Sequence, residues 1–424
     1  MKHQVFWYTQ GHKPSSSLER DISADVVIVG GGMAGLSAAQ RCAELGLECV
    51  LVEREFCGAG ASGKTSGFIT PDSELELTHL VENYGAEKAK KLWEFVTAGV
   101  GQIRKTIEDN NFNCDYQVQD SLFIANTPGR FRFVEAEHRS RLSLGYQSTL
   151  YARDELEAVI GSDGYHGAVR YPDTFGMNSF RYCQALKRDL QGRSIKIYEN
   201  TPVQKIESGR VTAANGKIVR AKYVLICADR FTPKLDIARQ DVYGVQTFLG
   251  VTNALSEAEA RRLFPEKKMM VWDSDLIYQY FRLMEGNRLL IGAASMFYTY
   301  LPREIKHSSL VEQKMLNYLG RKFPWLKIRL EYFWPGMLGV SKDFVPLCGQ
   351  VPNQSRVFFT AAATGLPWAA ALGRYLADKI HSGRDDFDED FSPQRKFQIR
   401  GVLQTVITTP VSFAVSHGIV KYFK

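Results

Sequence analysis

The sequence predicts an α/β fold in which a parallel sheet covered by helices carries an inserted, mostly antiparallel domain. Three observations lead there. Near the N-terminus a glycine-rich turn joins an apolar run to a helical pattern and a second apolar run. Between 243 and 333 aromatic residues alternate with polar ones at the period of a strand. Near the C-terminus a further apolar run, Val357–Ala361, feeds a helix that extends to Ile380.

The first of these is a β-α-β unit. A strand at 24–29 leads into Gly30-Gly31-Gly32-Met33-Ala34-Gly35, a helix to about Leu45, and a strand at 48–52 followed by Glu53. Gly30 permits the tight turn, Gly32 lets backbone approach a pyrophosphate, and Gly35 lets the helix pack closely on the sheet. The helix N-terminus offers N–H groups and a partial positive charge to phosphate. Glu53 suits both hydroxyls of an adenosine ribose and repels a 2′-phosphate, which disfavours NADP. The unit is therefore read as a Rossmann-like dinucleotide site. Gly58-Ala59-Gly60-Ala61-Ser62-Gly63 repeats the spacing but follows no strand and opens no clear helix, so it is not read as a second site.

The remaining elements follow in order. Residues 78–110 read as helix, the charge run Glu87-Lys88-Ala89-Lys90-Lys91 being a solvated face. A strand is expected at 115–126, a helix up to about Asp189, strands at 194–198 and 201–206, a hairpin turning at Asn215-Gly216, and a strand at 223–228. The antiparallel set is expected at 243–253, 269–273, 277–284 and 288–293, where Tyr278, Tyr280 and Arg282 share one face. Residues 22–110, 150–240 and 334–385 are assigned to the nucleotide domain, 111–149 and 241–333 to the inserted domain, and 386–424 to an extension.

Composition bounds the function. With 424 residues, 45% hydrophobic, the chain exceeds one ordinary domain, and 23% charged residues exclude both a disordered tail protein and a polytopic membrane protein. Seven cysteines without a C-x-x-C pair argue against a disulfide scaffold or zinc ribbon, and eight histidines without HxH or HExxH spacing give no metal site. The N-terminus lacks an apolar h-region, so a cytoplasmic location is expected. The net charge of +7 is largely local: Arg395, Lys396, Arg400, Lys421 and Lys424 face no acid between 391 and 424. No nucleic-acid partner is expected. Between Arg400 and Lys421 the tail is too polar for a membrane span. Contact with an anionic membrane surface, packing on its own body and contact with a sister subunit in a homodimer are all open.

The run from Gly58 to Thr70 resembles the loop after the second strand in the D-amino-acid oxidase-like (DAO) superfamily of FAD-dependent oxidoreductases. The motif style is nearest to its γ-glutamylputrescine oxidase, glycine oxidase and sarcosine oxidase members. Phe333 to Gly349, with Thr364-Gly365-Leu366-Pro367-Trp368, is similar to the superfamily's closing signature. The resemblance spans about 22–385 and implies a glutathione-reductase-type FAD domain. It places the flavin nucleotide on Gly30, Gly32, Met33, Ala34, Gly35, Glu53 and Arg54. To these it adds Gly60, Ala61, Ser62, Gly63, Lys64, Thr65, Ser66, Gly67 and Phe68, then Val203, and Thr364 to Trp368. A helix N-terminus there would face the flavin edge that gains charge on reduction.

By the same resemblance the function is oxidation of an amine or amino acid, a hydride passing to flavin N5 and the imine being hydrolysed. This needs no dedicated acid or base, because the cofactor is the electron sink and the protein orients the substrate. Tyr280, Arg282 and Trp334 are the substrate-pocket candidates, Arg282 as a carboxylate clamp and Tyr280 as one wall of an amine box. Three departures matter. No His or Cys stands at a covalent flavin position, so FAD should dissociate. No Lys lies in 289–291 to speed reaction with oxygen. Asp229-Arg230 stands where relatives have Gly. Electrons leave to oxygen or a quinone. The alternatives are a membrane-associated dehydrogenase feeding quinone, and a flavoprotein whose FAD is structural and whose surface serves a partner.

Overall fold

The structure is a computed structural model that describes residues 1–72, 74–275, 277–397 and 399–422. Lys424, one of the basic residues of the tail, lies outside the described residues.

The first sheet is built on Ile22–Val29, which pairs in parallel with Ile218–Ile226 on one side and Cys49–Val52 on the other. Lys196–Tyr198 extends it beyond Cys49–Val52, again in parallel. On the other flank Val357–Ala361 runs parallel to the end of Ile218–Ile226 and pairs antiparallel with Leu347–Gln350. The Asn215-Gly216 turn closes Arg210–Ala213 onto Ile218–Ile226, with Gly216 at φ +81°, and Val203–Glu207 adds outside. Strands such as Cys49–Val52 are apolar throughout because both faces are covered.

Helices stack on this sheet through glycines. The helix Met33–Glu44 meets Leu366–Ser382 where a Cβ on Gly373 would overlap the carbonyl oxygen of Ala34. Ala86–Asn110 meets the same helix where a Cβ on Gly99 would overlap the carbonyl of Pro367. The single helix expected at 78–110 is two, Leu77–Tyr84 and Ala86–Asn110, broken at Gly85 with φ +80°.

The second sheet has eight strands in the order Leu330–Val340, Tyr243–Ala254, Arg288–Ala293, Tyr280–Leu283, Met269–Asp273, Asp120–Ile124, Ala168–Tyr171 and Thr149–Tyr151. All neighbours are antiparallel except Met269–Asp273 with Asp120–Ile124. Strands from 149–171 and 330–340 thus join the inserted sheet, across the divisions at 150 and 334 expected from sequence. The strand expected at 115–126 is split, because Gln117–Val118 leaves to pair with Phe175–Gly176 in a three-stranded sheet that also holds Phe68–Ile69.

The tail forms two helices, Val402–Ile407 and Thr409–Tyr422, separated at Thr408 with φ +69°. The second packs on the chain's own body, against Leu77–Tyr84 and Tyr243–Ala254, with Phe413 and His417 buried. Val406, Val411 and Val415 face outward. No helix among the described residues is long and apolar enough to cross a membrane.

Candidate active site

A cavity of about 690 Å³ runs from the C-terminal ends of the parallel strands to the antiparallel sheet. It opens where parallel α/β sheets place their ligands, at the carboxyl ends of strands.

Its nucleotide end is shaped by glycines and by one acid. Gly30 has φ +114°, and a Cβ there would overlap the carbonyl of Cys227. A Cβ on Gly32 would stand 3.0 Å from Ser62 Oγ, and the same oxygen accepts the Met33 N–H at 2.9 Å on the first turn of the helix. A hydroxyl already sits there on an N–H that can serve a phosphate oxygen. Glu53 Oε2 accepts the Gly31 N–H at 2.6 Å and Oε1 the Glu55 N–H at 3.0 Å. Burial pushes the Glu53 carboxyl up, and those two N–H groups pull it back. Cradle, helix N-terminus and acid together fit a dinucleotide such as FAD.

The loop 58–67 is held from behind. Tyr8 O–H donates to the carbonyls of Gly58 and Ala59 at 3.1 and 2.9 Å, and Trp334 Nε1–H to that of Lys64 at 3.1 Å. Trp7 Nε1–H donates to Thr65 O at 2.8 Å, and Arg282 Nε–H to Ser66 O at 2.9 Å. Carbonyls spent on the protein side cannot repel a pyrophosphate. Trp7 and Tyr8 belong to the short helix Phe6–Gln10, in a lead-in whose role the sequence reading missed. Its aromatic density was the available signal.

Gly30, Gly32, Met33, Ala34, Glu53, Arg54, Gly60, Ala61, Ser62, Lys64, Thr65, Ser66, Phe68, Val203, Gly365 and Leu366 line the cavity, as does Tyr280. The other expected cofactor residues stand behind it. A Cβ on Gly35 would overlap Gly30 O, one on Gly63 would overlap Gly58 O, and one on Gly67, at φ +72°, would overlap Met177 O. Thr364 is buried with its hydroxyl toward Phe344 O. Pro367 opens the helix Leu366–Ser382, and Trp368 packs on Phe95 and Phe391 at 5.9 and 6.0 Å.

Asp229, where relatives were expected to carry Gly, lines the cavity with φ +45°. Its carboxylate turns to backbone, accepting the N–H groups of Gly339 at 2.8 Å and Ala362 at 3.2 Å, and so ties three segments together. Beside it Phe231 is ringed by Arg54, Arg230 and Lys234, with cation-to-centroid distances of 3.9, 4.0 and 5.4 Å.

The other end is an aromatic chamber. Tyr280 lies over Gly292, where any Cβ would overlap its ring. Its centroid is 5.7 Å from Phe68 and 5.6 Å from Tyr278, while Trp272 is 6.4 Å from Phe68. Tyr278 O–H donates to Glu74 Oε1 at 3.1 Å. Burial pushes the Tyr280 phenol up to about 12, so it stays protonated.

Arg282 and Trp334 are not at the cavity wall. Arg282 shares a strand face with Tyr280, but the loop and Met177 cover it. Its Nη2–H donates to Met177 O at 2.8 Å, and burial lowers its pKa to about 10. Alternation fixes a face and says nothing of depth. Trp334 is buried among Trp7, Leu249 and Leu290.

The C-terminal helix closes the chamber with Ala414, His417, Gly418 and Lys421. Their i, i+3, i+4, i+7 spacing is one helix face, a signal present in the sequence. Lys421 Nζ lies 3.5 Å from Glu74 Oε2.

A family model described as FAD dependent oxidoreductase (DAO) matches residues 25–379. The chain is 27% identical over 387 residues to the gamma-glutamylputrescine oxidoreductase of Escherichia coli, covering 89% of this chain and 88% of that one. Glycine oxidase from Geobacillus kaustophilus superposes with a TM-score of 0.75 at 18% identity, over 88% of this chain and 99% of that one. L-proline dehydrogenase from P. horikoshii does so at 0.75 and 16%, over 90% and 98%. The fold expected from the sequence is the one these structures share.

Proposed function

The chain belongs to the DAO family of FAD-dependent oxidoreductases, and from that premise we propose that it oxidises the C–N bond of an amine or amino acid. One observation carries the reading: the cavity that contains the glycine cradle and Glu53 continues without a break into the chamber of Phe68, Trp272, Tyr278 and Tyr280. The named substrates of the similar proteins, gamma-glutamylputrescine, glycine and L-proline, are amines or amino acids, which supports it.

When bound, dissociable FAD supplies the acceptor for the hydride that leaves the C–H bond beside a neutral amine nitrogen. The protonated imine left behind takes up water and gives a carbonyl compound, an amine and a proton. The chain's own task is placement. Loop 58–68 and the helix N-terminus at Met33 hold the cofactor. The aromatic walls exclude water and align the C–H bond, and Tyr280 flanks the amine. No side chain is assigned as acid or base.

The test is an anaerobic absorbance titration of the FAD-loaded protein with pools of amines, N-methyl amino acids and D- and L-amino acids. Bleaching of the flavin band by one pool is the expected result. A band that no pool bleaches would sink the proposal.

A second reading concerns the acceptor. Val406, Val411 and Val415 are exposed on the tail, and of its described basic residues Lys396 and Arg400 are exposed too, which supports contact with an anionic membrane surface and electron transfer to a quinone rather than oxygen. Replacing Val411 and Val415 by Asn should abolish sedimentation with phosphatidylglycerol vesicles and leave amine-driven bleaching intact. Equal sedimentation of both proteins would dismiss the membrane reading.

A further inference from the structure

We propose that Lys421, on the C-terminal helix, binds a carboxylate of the substrate, which makes the substrate an amino acid or another carboxylate-bearing amine. The inference rests on the amine or amino-acid oxidation proposed above and narrows it.

The argument is one of charge and place. Among the described residues, the cations that line the cavity are Arg54, Lys64, Arg230, Lys234 and Lys421, apart from the imidazole of His417. Arg54, Arg230 and Lys234 surround Phe231, beside Glu53 at the nucleotide end. Lys64 stands in the glycine-rich loop whose carbonyls are pinned from behind. Only Lys421 of this set stands in the aromatic chamber, 5.4 Å from the Tyr278 ring centroid and 5.1 Å from that of Phe344. The two arginines buried behind the chamber are engaged elsewhere. Arg282 donates to Ser66 O and Met177 O, and Arg141 donates to Asp72 and Glu137 at 2.7 Å each.

Lys421 is also available. Its ammonium has three donors, and its partner Glu74 stands at 3.5 Å, longer than the roughly 2.7–2.9 Å of a close charged pair. Glu74 has a second partner in the Tyr278 hydroxyl. An entering carboxylate can therefore take the place of Glu74 at Nζ while Tyr278 keeps Glu74. The side chain is about nine-tenths buried (10% exposed), where a charge-assisted contact is worth more than at the surface. The family match ends at 379, so this cation lies beyond the residues by which the family is matched and can set a specificity within it.

The experiment uses the FAD-loaded full-length chain and benzoate, an aromatic carboxylate, titrated against the flavin spectrum. Lys421→Met should weaken benzoate about tenfold or more, the loss of one charge-assisted contact. Lys421→Arg should return to within about threefold of wild type, and Glu74→Gln, which removes the competing anion, should tighten binding. In turnover, Lys421→Met should raise KM about tenfold for a carboxylate-bearing substrate with kcat within about threefold, and leave KM for the amine lacking that carboxylate unchanged. Benzoate affinity equal in wild type and Lys421→Met, or equal weakening by Glu74→Gln, would overturn the inference, the latter making the pair a tether. So would a wild type bleached by simple amines alone, which would leave the proposed function standing. A flavin bleached by neither class would remove the function itself.

Discussion

His417 Nε2 lies 2.7 Å from the carbonyl oxygen of Ser341, while its Nδ1 lies 2.8 Å from the Tyr300 hydroxyl. A carbonyl can only accept, so Nε2 carries the proton and Nδ1 accepts from Tyr300. The neutral ring stacks on Phe344 at 3.8 Å. One imidazole thereby fastens the C-terminal helix to the strand end and to the cavity wall.

Burial, helped by the charge of Lys421 and opposed by the Ser341 contact and Asp343, pulls the His417 pKa down to about 3. In the unfolded chain it titrates near 6.5. Between those values the unfolded state binds more protons, so the stability this residue confers is complete above about 6.5 and is lost as pH falls toward 3. The melting temperature of wild type should fall more between pH 7 and pH 5 than that of His417→Gln, by about 2 °C or more. Parallel profiles would show that another group governs the acid limb.

Arg282 holds the loop 58–67 through Ser66 O and does not line the cavity. Arg282→Met removes the donors to Ser66 O and Met177 O, so FAD should dissociate about tenfold more readily. The ratio of KM values for a carboxylate-bearing substrate and its decarboxylated amine should stay as in wild type. A selective rise for the carboxylate partner would restore Arg282 as a clamp.

Glu53 holds two backbone N–H groups of the nucleotide turn. Glu53→Ala leaves both unpaired, and FAD affinity should fall about tenfold or more. Glu53→Gln keeps one acceptor and should fall less. Fluorescence quenching of free FAD on titration with apoprotein measures both, and equal losses would show that the acceptor Gln keeps contributes nothing.

Gly373→Ala drives a methyl group into the carbonyl of Ala34, where two helices meet, and should cost about 1–3 kcal/mol of stability. Gly320, also helical, has open space around it. Gly320→Ala should stabilise by up to about 1 kcal/mol. Urea unfolding of the pair separates packing from helix propensity, and a neutral Gly373→Ala would show that the helices can separate at no cost.

Local spacing was enough for the first β-α-β unit and its glycine turn. Gly30, Gly32, Gly35 and Glu53 shape that turn within some twenty residues, by backbone conformation, close approach and a hydrogen bond, which a linear pattern records. The same holds for Met269–Asp273, Arg288–Ala293 and Val357–Ala361, which form at the bounds their apolar runs indicated. It fails where partners are remote. Nothing near Arg282 tells that Ser66, 216 positions away, will cover it, and nothing near Trp334 tells that its indole will support Lys64, 270 positions away. The support that the aromatic lead-in gives loop 58–67, and which of its open alternatives the tail adopts, were not legible because those partners come together only when the chain folds. Backbone conformation and face are local and lie in the order of residues. Depth, and whether a cation meets a substrate or a carbonyl, depend on which distant segments pack against it, and the folded chain alone decides that.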